Sequence, residues 1–146
     1  MITKLTAPSI KASASWNSCT LRWNRVKNSQ NYILYRKTNS GKYVKLKTLN
    51  ANTTSYKDTK ITIGNKYSYV IRASRKTSSG YIYSPTSKAV TVKPNLLRPS
   101  TKLKTLKGKQ ILSWKKISGA TGYVIYQKKG NGSFKKVKTI SSKNTS

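Results

Sequence analysis

The chain has 146 residues, and its 31 Lys and Arg side chains accompany a single acidic one, giving a formal net charge of +30 at pH 7. It contains no His, one Cys and one Asp, whereas acid–base catalysis and zinc, calcium or magnesium sites each need several titratable or ligating groups. The composition therefore predicts a protein that is not an enzyme and holds no cofactor or metal, and the one-sided charge predicts an anionic partner.

Short segments in which apolar and polar residues alternate follow one another along the first part of the chain, separated by turn-forming residues. Seven such segments without helical periodicity are typical of an antiparallel β-sandwich. The predicted strands, lettered as in immunoglobulin-like sandwiches, are A at 9–14, B at 19–24, C at 31–37, C′ at 42–48, E at 53–58, F at 66–75 and G at 87–92.

The sequence then repeats itself 91 residues later without a gap. Trp23 recurs as Trp114, and Tyr35 recurs as Tyr126. Similarity at a fixed period is typical of modular arrays, so we predict a complete module at 1–93, a linker at 94–98 and the first half of a second module at 99–146. Further recurring pairs are Pro8 and Pro99, Leu21 and Leu112, Tyr32 and Tyr123, Gly41 and Gly132, and Lys47 and Lys138.

The second copy holds the predicted strands A, B, C and C′, because Ser146 corresponds to Ser55 at this offset. Half a sandwich exposes its apolar face and its unpaired strand edges. Three interpretations are open: a piece of a longer protein, a half module completed by another chain, or a partly disordered second half.

Several segments resemble the fibronectin type III family. Leu21-x-Trp23 resembles its strand B, the segment at 119–126 its strand C, and Gly64-Asn65-Lys66-Tyr67 the corner before its strand F. The resemblance covers the whole first copy and is nearest to modules in surface and secreted proteins of low-GC Gram-positive bacteria. It implies an immunoglobulin-like sandwich with Tyr67 as the tyrosine-corner residue, and a non-catalytic spacer, adhesin or accessory domain outside the cell or at its surface.

Residues on one face of the predicted strands are expected to form the core. Asp58, at the end of strand E, is expected to accept backbone N–H bonds, so its predicted role is structural. Cys19 shares a strand face with Leu21 and is predicted to be buried, the alternative being an intermolecular disulfide or a reactive thiol. The predicted core residues are Trp23, Trp114, Tyr32, Leu34, Leu46, Tyr56, Tyr67, Tyr69 and Ile71.

An apolar and aromatic stripe is predicted on the face of strand C that points away from the core, where Ile33 and Tyr35 alternate with the core residues. It has two interpretations: cross-strand packing that shields lysine stems, or a contact surface for a glycan or a protein. The possible aromatic contacts are Tyr35, Tyr43, Tyr126, Phe134, Trp16 in the A–B turn and Tyr81 in the F–G loop.

Basic residues concentrate on strand C′ of both copies and on the outer side of strand B. Lysines outnumber arginines 25 to 6, which favours diffuse attraction to a polyanion over the bidentate reading of bases. The predicted polyanion-binding residues are Lys42, Lys45, Lys47, Arg22, Arg25, Lys135, Lys136 and Lys138.

Three functions are compatible with these features. The first is an extracellular binding or spacer module that contacts anionic cell-wall polymers, such as teichoic acid, or acidic glycans. The second is a structural subunit of a virion or surface filament, in which neighbouring subunits complete the half module. The third is non-specific nucleic-acid binding, although the chain has no recognition helix or arginine-rich arm. No apolar run approaches the roughly 20 residues of a membrane span, so none is predicted.

Overall fold

The computed structural model describes residues 4–145; residues 1–3 of the predicted first module and Ser146 of the second lie outside this range. The chain divides into two compact units, Met1–Asn95 and Leu96–Ser146, here called unit 1 and unit 2. All regular secondary structure within residues 4–145 is β-strand, and every strand pair is antiparallel. None of these residues forms a helix that could cross a bilayer.

Unit 1 is a sandwich of two antiparallel sheets, which confirms the predicted fold class. The first sheet has the strand order β1-β2-β5 and the second has the order β4-β3-β6-β7, with β8 also pairing with β6. Their bounds are β1 Ile10–Ala14, β2 Cys19–Trp23, β3 Asn31–Thr38, β4 Val44–Asn50, β5 Ser55–Asp58, β6 Tyr67–Thr77, β7 Gly80–Tyr83 and β8 Val90–Val92.

The core of unit 1 is built from the alternate residues of the strands, as the period of two requires. The predicted burial is confirmed for Trp23, Tyr32, Leu34, Tyr67, Tyr69 and Ile71 in this unit. Leu46 and Tyr56 pack against the core but are only partly buried. They lie on β4 and β5, which are edge strands and have a neighbour on one side only.

Two buried tyrosine hydroxyls tie loops to the core. The backbone N–H of Thr62 donates to the hydroxyl of Tyr67 over 2.7 Å, which confirms the predicted tyrosine corner. The N–H of Val26 donates to the hydroxyl of Tyr32 over 2.9 Å. Tyrosine supplies an apolar ring and a polar tip together, so each residue fills the core and satisfies a backbone group.

The last part of unit 1 differs from the prediction. The segment read as an F–G loop contains the strand β7, which forms a tight hairpin with the end of β6. Only the last part of predicted strand G forms a strand, β8. Between β7 and β8 the chain does not continue the ladder with β6. There the hydroxyls of Ser84 and Ser87 accept the N–H groups of Ala73 and Ile71. These hydroxyls replace missing strand carbonyls and keep the backbone of β6 paired.

Unit 2 consists of two hairpins that reproduce the first four strands of unit 1. The Lys138–Ile125 pairing is followed by the same register shift that follows Leu34 in unit 1. The N–H of Ile117 donates to the hydroxyl of Tyr123 over 2.9 Å, at the place of the Val26 and Tyr32 contact. Its strands are β9 Thr101–Leu106 paired with β10 Lys109–Trp114, and β11 Gly122–Gln127 paired with β12 Lys135–Ser141.

Candidate functional site

Asp58, the only acidic residue, is buried at the end of β5 with 1% of its surface exposed. Its carboxylate accepts a 2.8 Å bond from Nη1 of Arg36, a 2.9 Å bond from the hydroxyl of Tyr69 and a 3.1 Å bond from the N–H of Lys60. The predicted structural role and backbone bond are confirmed. The contacts with Arg36 and Tyr69 were not predicted, since both lie on strands far from Asp58 in the sequence.

The burial of Asp58 leaves the surface of the protein without an acidic side chain. The formal net charge is +30, and the one carboxylate side chain that could offset a neighbouring cation is enclosed and paired with Arg36. Exposed charges of one sign repel each other and attract anions from solution. Every exposed region of both units therefore presents either neutral or positive side chains.

Three of the cations of unit 1 lie around the turn between β3 and β4. A depression of about 320 Å³ is lined there by Arg36, Lys42 and Lys45. Its floor includes Gly41, where an added Cβ would lie 3.1 Å from the carbonyl oxygen of Thr38, so the tight turn favours glycine. We call this hollow the basic depression.

Unit 2 has a basic depression at the corresponding turn, between β11 and β12. It measures about 530 Å³ and is lined by four lysines. Gly132 occupies the place of Gly41, with an added Cβ 3.1 Å from the carbonyl oxygen of Lys129. The repeat thus preserves a cationic hollow as well as a fold. The four lysines are Lys128, Lys129, Lys135 and Lys136.

The predicted cations do not form one surface. Lys45 and Lys47 lie on β4 and are exposed, whereas Lys42 precedes the strand, because C′ begins at Val44 rather than at residue 42. Arg22 lies on β2, in the other sheet. Arg25 follows that strand and is engaged by Asn52, its guanidinium donating over 3.3 and 3.4 Å. In unit 2, Lys135, Lys136 and Lys138 all lie exposed on β12.

Two of the predicted aromatic contacts lie at the β3–β4 turn or its counterpart in unit 2. Tyr43 precedes β4 rather than lying on it, and the ammonium of Lys37 is 5.1 Å from its ring centre. Phe134 precedes β12 and has Lys128 at the same distance, 5.1 Å. Tyr126 is exposed on β11. Trp16, in the β1–β2 turn of unit 1, is also exposed.

The outer face of the second sheet in unit 1 carries a row of stacked side chains on β3, β6 and β7. The guanidinium carbon of Arg72 lies 4.1 Å from the ring centre of Tyr83 and 5.5 Å from that of Tyr35. Tyr81 stacks beside Tyr83 with ring centres 6.2 Å apart. Tyr35 and Tyr81 were predicted as aromatic contacts, but Arg72 and Tyr83 were not. Tyr81 lies on β7 and not in a loop as predicted. We call these four residues the tyrosine–arginine row.

The thiol of Cys19 is buried, which confirms the prediction for this residue. Burial raises the pKa of this thiol, and the nearby Asp58 carboxylate raises it further, against the opposing effect of a hydrogen bond with Tyr69. Burial also raises the pKa of the Tyr69 hydroxyl. Both groups are therefore neutral near pH 7, and Cys19 lacks the thiolate character that a reactive cysteine needs.

Comparison with solved structures defines the class of fold. The chain is similar to a two-domain fibronectin type III segment of chicken tenascin, with 21% identity, 94% of this chain and 79% of that one covered, and a TM-score of 0.51. It is also similar to a β-1,2-glucanase from Parabacteroides distasonis, with 20% identity, 65% of this chain covered and a TM-score of 0.56. The chain is thus a fibronectin type III-like β-sandwich protein.

The other comparisons are narrower. The similarity to the glucanase covers only 13% of the length of the glucanase chain. A Fn3-like protein from Clostridium thermocellum is 27% identical over 66% of this chain and 96% of its own, with a TM-score of 0.48. No known family profile matches the sequence. No curated protein matches it either.

Proposed function

We propose that this protein is a non-catalytic module that acts outside the cell, or at its surface, by binding an anionic polymer such as teichoic acid or an acidic glycan. The observation that carries the proposal is the formal net charge of +30 combined with the burial of the only acidic residue, Asp58. A typical soluble surface mixes both signs. A surface with cations alone repels itself unless an anion is near.

The distribution of the cations supports a polymeric ligand. Each unit carries its own basic depression, which is lined by Lys42 and Lys45 in unit 1 and by four lysines in unit 2. Because the depression recurs in each unit, a ligand whose charge also repeats is favoured over a small anion. Lysine is a hydrated point charge that does not demand a fixed geometry, which suits a flexible chain of phosphates or carboxylates.

The proposal is tested by measuring binding to four polymers over a range of salt concentrations. The polymers are polyglycerol phosphate, which is a teichoic-acid backbone, polygalacturonate, double-stranded DNA and neutral dextran. We expect binding to polyglycerol phosphate and polygalacturonate to weaken steeply between about 50 and 200 mM salt, because added salt opposes the release of counterions from the polymer. We expect no binding to dextran.

Two results would contradict the proposal. Absence of binding to every polyanion at low salt would mean that the charge has another purpose. Binding to DNA much tighter than to either wall-type polymer, at equal charge concentration, would favour the nucleic-acid interpretation.

The open apolar face of unit 2 supports a second candidate function, as a structural subunit of an assembly. Leu21 and Leu34 of unit 1 are fully buried, but their counterparts Leu112 and Ile125 are only partly buried. A groove of about 500 Å³ runs beside them, and Trp114 forms part of its wall. In unit 1 the equivalent surface is covered by β6 and its neighbours, so a strand from an adjacent copy would bury the same residues in unit 2.

The assembly candidate predicts that the mass in solution increases with protein concentration. Sedimentation at high salt, which screens repulsion between the basic chains, measures this mass directly. We expect dimers or larger species, and substitution of Ile125 by Lys is expected to restore the monomer. A strict monomer at all concentrations would exclude this function.

A further inference from the structure

The tyrosine–arginine row is set by the register of three neighbouring strands. On β6 the core residues alternate with outward ones, so Arg72 points away from the core. Arg72 is directly opposite Ile33 of β3. Tyr35 of β3 is opposite Val70, two residues before Arg72. Tyr83 of β7 is opposite Ser74, two residues after Arg72. Arg72 therefore lies diagonally between the two tyrosines, at a separation that long side chains bridge across a sheet.

The stacking leaves one part of the guanidinium available. Tyr83 at 4.1 Å and Tyr35 at 5.5 Å flank Arg72, and its Nε is buried without a hydrogen-bond partner among the residues described. The two rings thus flank the guanidinium, and its terminal N–H groups are the donors left for a ligand. A guanidinium edge matches the two oxygens of a carboxylate or phosphate.

The surroundings of the row are cationic and aromatic. Lys76 is exposed and lies directly opposite Tyr81, at the end of the row. Tyr81 is 56% exposed and Tyr83 is 46% exposed. Asp58, the only acid, is enclosed in the core and cannot compete for these cations.

We propose that the tyrosine–arginine row is a binding site for acidic polysaccharides. An exposed ring face of Tyr81 packs against the apolar C–H face of one sugar, and the edge of Arg72, together with Lys76, binds the carboxylate of the chain. This inference rests on the proposed function, because it takes the ligand to be an anionic polymer, and it assigns that polymer to the class of sugar acids.

The geometry favours a sugar acid over single-stranded nucleic acid. Proteins that bind single strands stack successive bases on aromatic rings and on arginine planes. Here Tyr83 and Tyr35 already flank the Arg72 guanidinium, which leaves less room for a base to stack on it. The remaining contacts are a ring face and an N–H edge, which suit a saturated ring with an attached carboxylate.

The site is tested with the full chain and polygalacturonate, in which every sugar carries a carboxylate. Tyr81→Ala is expected to weaken binding roughly tenfold and to leave the slope of affinity against salt unchanged, because no charge is removed. Tyr81→Phe is expected to bind as the wild type does. Arg72→Lys keeps the charge but loses the planar fork, so it is expected to bind more weakly than the wild type.

The matched control is Tyr43→Ala. Tyr43 is also an exposed tyrosine beside a lysine, Lys37. Lys37 is opposite Ser68 near one end of β6, whereas Lys76 lies near the other end of that strand. At the rise of a strand, Ser68 and Lys76 are roughly 25 Å apart. We expect this variant to lose far less affinity for polygalacturonate than Tyr81→Ala does. Urea unfolding checks that each variant is folded.

Three outcomes would contradict the inference, and a fourth would contradict the proposed function on which it rests. Wild-type affinity in Tyr81→Ala, with polygalacturonate still bound by the wild type, would contradict the site and leave the proposed function standing. Equal binding of the neutral methyl ester, or tighter and Tyr81-dependent binding of oligothymidylate, would contradict the assignment to sugar acids. Absence of binding to any polyanion by the wild type would instead contradict the proposed function itself.

Discussion

Substitution of Asp58 by Asn is expected to lower the free energy of unfolding by about 3 kcal/mol. The amide keeps the shape of the side chain but removes the charge that faces Arg36 at 2.8 Å. Asp58 is 1% exposed and Arg36 25% exposed as side chains, so water replaces little of the lost interaction. Breaking a buried pair by removing one partner leaves the other charge unpaired, which is the costly case.

Urea unfolding of the variant and its controls measures this effect. Lys57→Gln changes an exposed neighbour on the same strand and is expected to alter stability by less than about 0.5 kcal/mol. The double variant Asp58→Asn with Arg36→Met should recover part of the loss, since no unpaired cation remains. A stability of Asp58→Asn within about 1 kcal/mol of the wild type would show that the bridge contributes little. Binding of the folded variant to polyanions should not weaken, because every lysine of the basic depression is retained.

Replacement of Lys42, Lys45 and Lys47 by Gln is expected to weaken binding to polyglycerol phosphate on the order of a hundredfold near 0.1 M salt. Lys42 and Lys45 line the basic depression of unit 1, and all three side chains are exposed. Each cation that neutralises a phosphate releases a counterion, so the slope of log affinity against log salt should decrease by about one for each lysine lost.

The control for this variant removes the same charge elsewhere. Lys11, Lys57 and Lys88 are exposed on unit 1 outside the basic depression, and their replacement by Gln gives a protein of identical net charge. If the depression is the binding surface, this control loses far less affinity than the first variant. Equal losses would indicate that only the total charge matters and that the ligand has no preferred position.

The sandwich and its repeat were predictable because their signals are local. Alternation of core residues such as Tyr67, Tyr69 and Ile71 is visible in one short segment, and a recurrence such as Trp23 and Trp114 needs only a fixed offset. The strand β7 was missed for a physical reason. Ser84 and Ser87 pair with β6 through their hydroxyls, so the ladder is interrupted and the Gly80–Tyr83 segment does not resemble one continuous edge strand.

The site was less accessible to sequence reasoning. The prominence of lysine is a matter of counting, but the partners of Arg36 and Arg72 depend on strand order and register. Asp58 is 22 positions from Arg36, and Tyr83 reaches Arg72 across a hairpin whose second strand was not predicted. The presence of an Arg at the middle of strand F, with tyrosines on the neighbouring segments, was the signal that could have indicated the row.

The enclosure of Asp58 also determines how the surface responds to acidity. With no His in the chain, no other acidic residue and Cys19 buried, the exposed surface holds no side chain of a type that ordinarily changes its charge between mildly acidic and neutral conditions. A polymer held by this surface is released by competing ions or by its own cleavage, and a shift between neutral and acidic surroundings leaves it bound.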